Sequence, residues 1–254
     1  MPSLKDGFME ADLAAWGEPV VVRRLRGGNR NLVVEIRLDG QRLVARRSAR
    51  PALSLDWEAA LLEHLARQGM RVPVPVPALD GRRHINRVMV QTWLDGRQPG
   101  RSDWPAVAAT LRELHELTMG WTQRPGFAST IELLTAHRGG DVDLAQMPAD
   151  AVRSCRRAWA RLEGSHQAVV HGDPGPANIR VTRDAVGLLD WDEARVDCTD
   201  LDLAELPGRH LPPERLSIAK VAATAWEAAN GWIVEPSYAR RQLALLQAKP
   251  DNFG

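Results

Sequence analysis

Short apolar stretches separated by turn dipeptides fill the first third of the chain. Alternation of apolar and polar positions predicts strands over 20–26, 32–38 and 42–47, with Gly27-Gly28-Asn29 and Asp39-Gly40 as the turns between them, an antiparallel meander. From Ser54 the period lengthens. Leu61, Leu62 and Leu65 recur at helical spacing, and Gly69 stands where a helix C-cap belongs. Pro73, Pro75 and Pro77 alternate with valines, which excludes helix and predicts an extended segment; 88–93 reads as a further strand running into Asp95-Gly96.

The pattern then turns helical. Beyond Asp103, placed as an N-cap, Val107, Leu111, Leu114, His115 and Leu117 share one helix face. Two helices are expected around 131–137 and over 149–162, joined by the turn-rich Gly139-Gly140-Asp141 region. A β interlude follows at 168–170, 179–181 and 186–189, and helices return to about Lys249. The sequence contains no internal repeat and no low-complexity segment. The fold class is therefore α+β, with a small sheet-bearing N-terminal lobe over 1–94 and a mostly helical C-terminal lobe over 95–254.

Composition narrows the function classes. With 254 residues, 44% hydrophobic and 26% charged, the chain is long enough for one large domain or two lobes. No apolar run reaches the roughly 18–20 residues a membrane span needs, and the opening residues lack the basic-then-apolar order of a signal peptide. The expectation is a soluble cytoplasmic protein with no membrane partner. Cys155 and Cys198 stand apart from each other and from any histidine cluster, which argues against a disulfide framework or a zinc site. A formal charge of +1, with arginines scattered among acids, offers no field for nucleic acid.

The chemistry concentrates in VVHGDPGPANI, followed by GLLDWDEA. Asp173 and Asn178 lie five residues apart on one loop after a strand, and Asp190 ends the next apolar strand twelve residues beyond Asn178. Taken alone, Asp-Pro-Gly-Pro-Ala-Asn is a common turn composition. The joint pattern says more: three oxygen-bearing side chains at strand ends suit phosphoryl transfer, whose loose transition state needs positioning and cations around the phosphate oxygens. Magnesium takes hard oxygen ligands and usually only one or two from protein, a demand that Asn178 and Asp190 fit. Asp173 is then the acceptor for the proton of an attacking hydroxyl.

HGDPGPAN and LLDWDEA resemble the catalytic and metal-binding motifs of the aminoglycoside-phosphotransferase and choline-kinase family, relatives of the protein kinases. The resemblance implies a bilobal protein kinase-like fold, Asp173 as base, Asn178 and Asp190 as magnesium ligands, and ATP or GTP as phosphoryl donor. It extends across nearly the whole chain. GGNRNLVVEIRL resembles the nucleotide-covering loop, which implies roles for Gly28 and Asn29, and LVARR resembles the third strand, with Arg46 where many relatives have lysine. DWEAALLEHL resembles the helix that carries the partner glutamate, here Glu58. VMVQTWLDG resembles the hinge, whose groups at Gln91, Trp93 and Leu94 are expected to meet the base. Arginine forks onto phosphate and carboxylate with a geometry unlike lysine's, so the Arg46–Glu58 pairing is open to rearrangement. His171 is read as a loop-holding group, His115 as a core histidine, and Asp197 and Asp202 as structural support.

The implied partners are a nucleotide and a small hydroxylated substrate, most directly an antibiotic; a metabolite alcohol resembling choline or homoserine is the alternative. From Trp104 onward 16 Lys and Arg face 20 Asp and Glu, so the acid surplus that a cationic acceptor would require is small. Trp121, Trp159, Trp226 and Trp232 are either pocket walls or core. Two further readings stand beside the kinase: a hydrolase using Asp173, Asp190 and Asp192 as a metal cluster, and a catalytically silent kinase-like binding module.

Overall fold

The computed structural model describes residues 11–25 and 31–248, so the expected nucleotide-loop positions Gly28 and Asn29 lie outside the described residues. In chain order the elements are β1 (Val20–Arg24), β2 (Leu32–Leu38), β3 (Gln41–Arg47), α1 (Ala52–Arg67), β4 (Pro75–Val76), β5 (Val88–Thr92) and α2 (Trp104–Leu117). They continue as β6 (Arg138–Gly139), β7 (Val142–Asp143), α3 (Ala149–Ala160), β8 (Gln167–Val170), β9 (Ile179–Val181), β10 (Val186–Leu188), β11 (Arg195–Cys198), α4 (Asp200–Glu205), α5 (Pro213–Asn230) and α6 (Pro236–Ala248). The described residues fall into two compact units, those up to 98 together with 177–189, and those over 99–176 together with the described residues from 190 onward.

The first unit is built on an antiparallel sheet in the order β1-β2-β3-β5-β4. Period-two alternation explains its two faces. Val34, Ile36, Leu43, Ala45, Val88 and Val90 bury one face against Leu13 and Trp16, whose indole donates to the Val76 carbonyl at 2.7 Å. Met89, one position out of phase, packs with Leu55 and Ala59 of α1. Each fully buried Leu or Ile contributes about 1.5–3 kcal/mol. The expected meander is present, with β1 ending at Arg24 and a bulge between Val21 and Arg23.

The β9–β10 hairpin belongs to this first unit, although a linear boundary at 94/95 assigns it to the second. Arg97 and Val181 exchange backbone hydrogen bonds of 3.1 and 2.8 Å, and the Leu188 N–H donates to the Arg71 carbonyl at 3.0 Å. The Arg71 guanidinium donates to the Asp95 carbonyl, which ties the hinge segment to the same strut. Gly96 permits the approach: its φ is +130°, and a Cβ there would lie 2.9 Å from the Val181 carbonyl oxygen.

In the second unit, α3, α5 and α6 enclose a core of Cys155, Ala158, Trp159, Ala222, Ala225, Trp226, Ala229 and Leu246. The alanine stripe of α5 lets neighbouring helices approach closely. Trp159 and Trp226 are thus core residues, while Trp121 and Trp232 are half-buried. Both cysteines are free and buried. The helix expected over 131–137 is only a 3-10 turn at Glu132–Leu134. Its Glu132 carboxylate accepts the Ser129 N–H and hydroxyl, Thr130 is tied to Asp197, and the chain leaves at once into the β6–β7 hairpin. Asp103 occupies the N-cap position of α2, but its carboxylate accepts the N–H of Gly100, three residues back.

Candidate active site

In the first unit, β3 pairs with β5 so that Arg46 stands opposite Met89 and Val44 opposite Gln91. These four side chains share one sheet face, the face that α1 covers. Glu58, on the buried side of α1, meets Arg46 there, and both are nearly removed from solvent, at 1% and 5% exposure. Arginine at this position therefore does form the carboxylate pair that its alignment with LVARR implies. Buried pairing fixes the guanidinium in a defined direction. Gln91 is buried on the same face at the end of the sheet, followed by half-buried Trp93 and Leu94. The Arg42 guanidinium covers the Trp93 ring at 3.5 Å, and the indole donates to Asp95 at 2.9 Å. Arg42 and Arg23 both bond Glu35, whose carboxyl is lowered to about 2 by those hydrogen bonds. Asn178 precedes β9, and the Leu189 N–H donates to its carbonyl at 2.7 Å.

The second unit carries Asp173 and Asp190, both exposed. Asp190 has φ +57°, a left-handed backbone that a non-glycine residue adopts only where its surroundings impose it. The loop before Asp173 is held from below. Asp202, on α4 and almost wholly buried, accepts the N–H of His171 at 2.8 Å and of Gly172 at 3.0 Å, and meets His115 Nε2 at 3.0 Å. Burial alone would raise the Asp202 carboxyl; the His115 hydrogen bond, the imidazoles of His115 and His171 and the Gly172 N–H outweigh it and hold the group below the usual aspartate range. His171 Nδ1 in turn accepts the Asp173 N–H at 3.3 Å, and its ring lies 4.9 Å from that of Trp191. His171 and Asp202 are thus scaffolding, as their sequence context suggests.

Arg124 is a loop-holding residue that sequence reading missed. Fully buried, it donates from Nη1 to the carbonyls of Trp191, Asp192 and Ala194, at 2.8, 3.1 and 3.2 Å, and so gathers the loop that leaves Asp190. Asp192 is itself buried beside it. Among the described residues no three His, Cys, Asp or Glu side chains converge as metal ligands, which takes support away from a metal cluster of Asp173, Asp190 and Asp192. Asn178, in the first unit, and Asp190, in the second, each carry a hard oxygen donor, the kind of group that magnesium takes from protein.

Gly172 offers a direct test of the scaffold. Its φ is +84°, and a Cβ would fall 2.6 Å from the Glu193 carbonyl oxygen. Gly172→Ala is expected to cost about 1–3 kcal/mol of stability and to lower the melting temperature, as thermal unfolding followed by circular dichroism will read.

Residues 21–241 match the model of the phosphotransferase enzyme family. No curated protein sequence matches the chain. Among solved structures, the chain is similar to aminoglycoside phosphotransferase APH(4)-Ia in a ternary complex with ADP and hygromycin B, at 12% identity and TM-score 0.68, over 97% of each chain. It is also similar to choline kinase LicA from Streptococcus pneumoniae, at 14% identity and TM-score 0.67, over 97% of this chain and 98% of that one. A microcompartment-associated aminopropanol kinase gives 17% identity and TM-score 0.65, over 95% and 96%. At these identities the structures establish the fold, which is protein kinase-like, and the family match over most of the chain establishes the rest: this protein belongs to the phosphotransferase enzyme family.

Proposed function

We propose that the protein transfers the γ-phosphoryl group of ATP or GTP to a hydroxyl of a small molecule, with Asp173 as the base. The observation that carries this reading is the loop architecture: an exposed Asp173 fixed through His171 and Gly172 to the buried carboxylate of Asp202, followed by Asn178 and Asp190 around one β-hairpin. In the first unit, Arg46 oriented by Glu58 meets nucleotide phosphate, and the Gln91–Leu94 segment meets the base. Asn178 and Asp190 hold magnesium, which when bound neutralises phosphate oxygens. Asp173 accepts the proton of the acceptor hydroxyl.

An antibiotic is the favoured acceptor and a metabolite alcohol the alternative; the solved relatives include an amicoumacin kinase, a choline kinase and an aminopropanol kinase. No helix among the described residues is long and apolar enough to cross a membrane, and a nucleotide-using enzyme belongs in the cytoplasm, where its donor is made. The test is a mass-spectrometric screen of hydroxylated antibiotics and metabolites with magnesium and ATP or GTP. A compound that gains a phosphoryl group only when enzyme and nucleotide are both present supports the proposal. Hydrolysis of an acceptor without nucleotide would favour the metal-cluster hydrolase, and a protein that binds no nucleotide is not a kinase.

A further inference from the structure

Arg71 follows α1 in the first unit and touches two segments of that unit at once. Its carbonyl accepts the Leu188 N–H of β10 at 3.0 Å, and the next N–H along, that of Leu189, donates to the Asn178 carbonyl at 2.7 Å. Its guanidinium Nη2 donates to the Asp95 carbonyl, just beyond the Gln91–Leu94 segment. Gly187 makes room for both. A Cβ there would lie 3.3 Å from Arg71 Nη1, from the Arg71 carbonyl oxygen and from Leu94 Cδ1, so the guanidinium and the Leu94 side chain lie together over the bare backbone of β10. The Arg97–Val181 pair fastens the same two segments near the turn of the β9–β10 hairpin, whereas Arg71 fastens them at the end where Asn178 stands.

Stability does not account for an arginine here. Nη1 is buried and has no hydrogen-bond partner among the described residues, and an unmatched buried donor is unfavourable. Methionine, unbranched and adaptable, would pack over Gly187 and Leu94 without that cost. It would also keep the backbone bond to Leu188. What it would lack is the bond to Asp95, which is the side chain's link between the hairpin and the segment before it.

A nucleotide bound as proposed above is held at two points of this unit, its base by the Gln91–Leu94 segment and its magnesium-bearing phosphates by Asn178. We propose that Arg71 is a positioning residue that fixes the span between those two points, so that base and phosphates reach their partners together. The inference rests on the kinase reading. A misplacement of about 1 Å between groups that must act together is enough to weaken them markedly. Ligands that use both points therefore depend on Arg71, and a ligand that uses the base segment alone does not.

The experiment compares the full-length parent, Arg71→Met and Arg71→Lys by isothermal titration in magnesium with a non-hydrolysable ATP analogue, and by displacement of that analogue with adenosine. Arg71→Met is expected to weaken the analogue by about tenfold and adenosine by less than about twofold, at a melting temperature no lower than the parent's, because the unmatched donor is gone. Arg71→Lys, which retains an N–H donor for the Asp95 carbonyl, is expected to recover part of the analogue's affinity. A merely structural arginine would instead lower the melting temperature and weaken both ligands alike. Unchanged analogue binding in Arg71→Met, equal weakening of analogue and adenosine, or no recovery with lysine overturns the role; so does adenosine that fails to displace the analogue from the parent, since the base then has no hold of its own. A parent protein that does not bind the analogue overturns the kinase reading instead.

Discussion

Asp202→Ala is expected to lower the unfolding free energy by about 3–5 kcal/mol and to abolish phosphoryl transfer with it. The carboxylate is 1% exposed and serves three donors at once: the N–H groups of His171 and Gly172 and the ring of His115. Alanine leaves all of them buried beside an apolar void, and each unsatisfied group costs about 1–3 kcal/mol. Asp202→Asn keeps an oxygen acceptor and is expected to fall between the parent and the alanine variant. The pH dependence separates the charge from the shape. The folded-state group titrates below its unfolded value, so its stabilisation is complete above about pH 4 and is lost as pH falls through the lower folded value. Denaturant melts taken downward from pH 5 should therefore show a steeper loss for the parent than for Asp202→Asn. Equal slopes would mean that the carboxylate's charge is not what holds the loop.

The scaffold and the proposed catalytic groups differ in how the sequence discloses them. Asp173, Asn178 and Asp190 sit in a short stretch at strand ends, so residue type and spacing single them out as candidates. The Arg46–Glu58 pair was legible only through the resemblance of LVARR and DWEAALLEHL to the family's third strand and following helix, and the structure brings the two side chains together. The return of the β9–β10 hairpin to the first unit was not legible. It depends on backbone pairing between Arg97 and Val181 and on the Arg71 carbonyl, contacts far apart in sequence and independent of side-chain type. The helix expected over 131–137 stops at a 3-10 turn even though Ser129 and Glu132 cap its start reciprocally; Arg156 of α3 takes the Leu133 and Ala136 carbonyls, a contact remote in sequence.

Arg124 in TQRPG carried no mark of burial, because an arginine before Pro-Gly reads as an exposed turn residue, yet it is fully buried.

The role of base proposed for Asp173 gives the second large expected effect. Asp173→Asn preserves size and the backbone N–H that donates to His171 Nδ1, so the loop is expected to keep its shape. What is lost is the proton acceptor, and kcat should fall by about 10²–10⁴. KM for the nucleotide should change little, because Arg46, Glu58 and the Gln91–Leu94 segment belong to the other unit. Steady-state kinetics with the acceptor found by screening will read both parameters. A loss confined to acceptor KM would make Asp173 a binding group and require another base. A fall in kcat at unchanged nucleotide KM assigns the proton to Asp173.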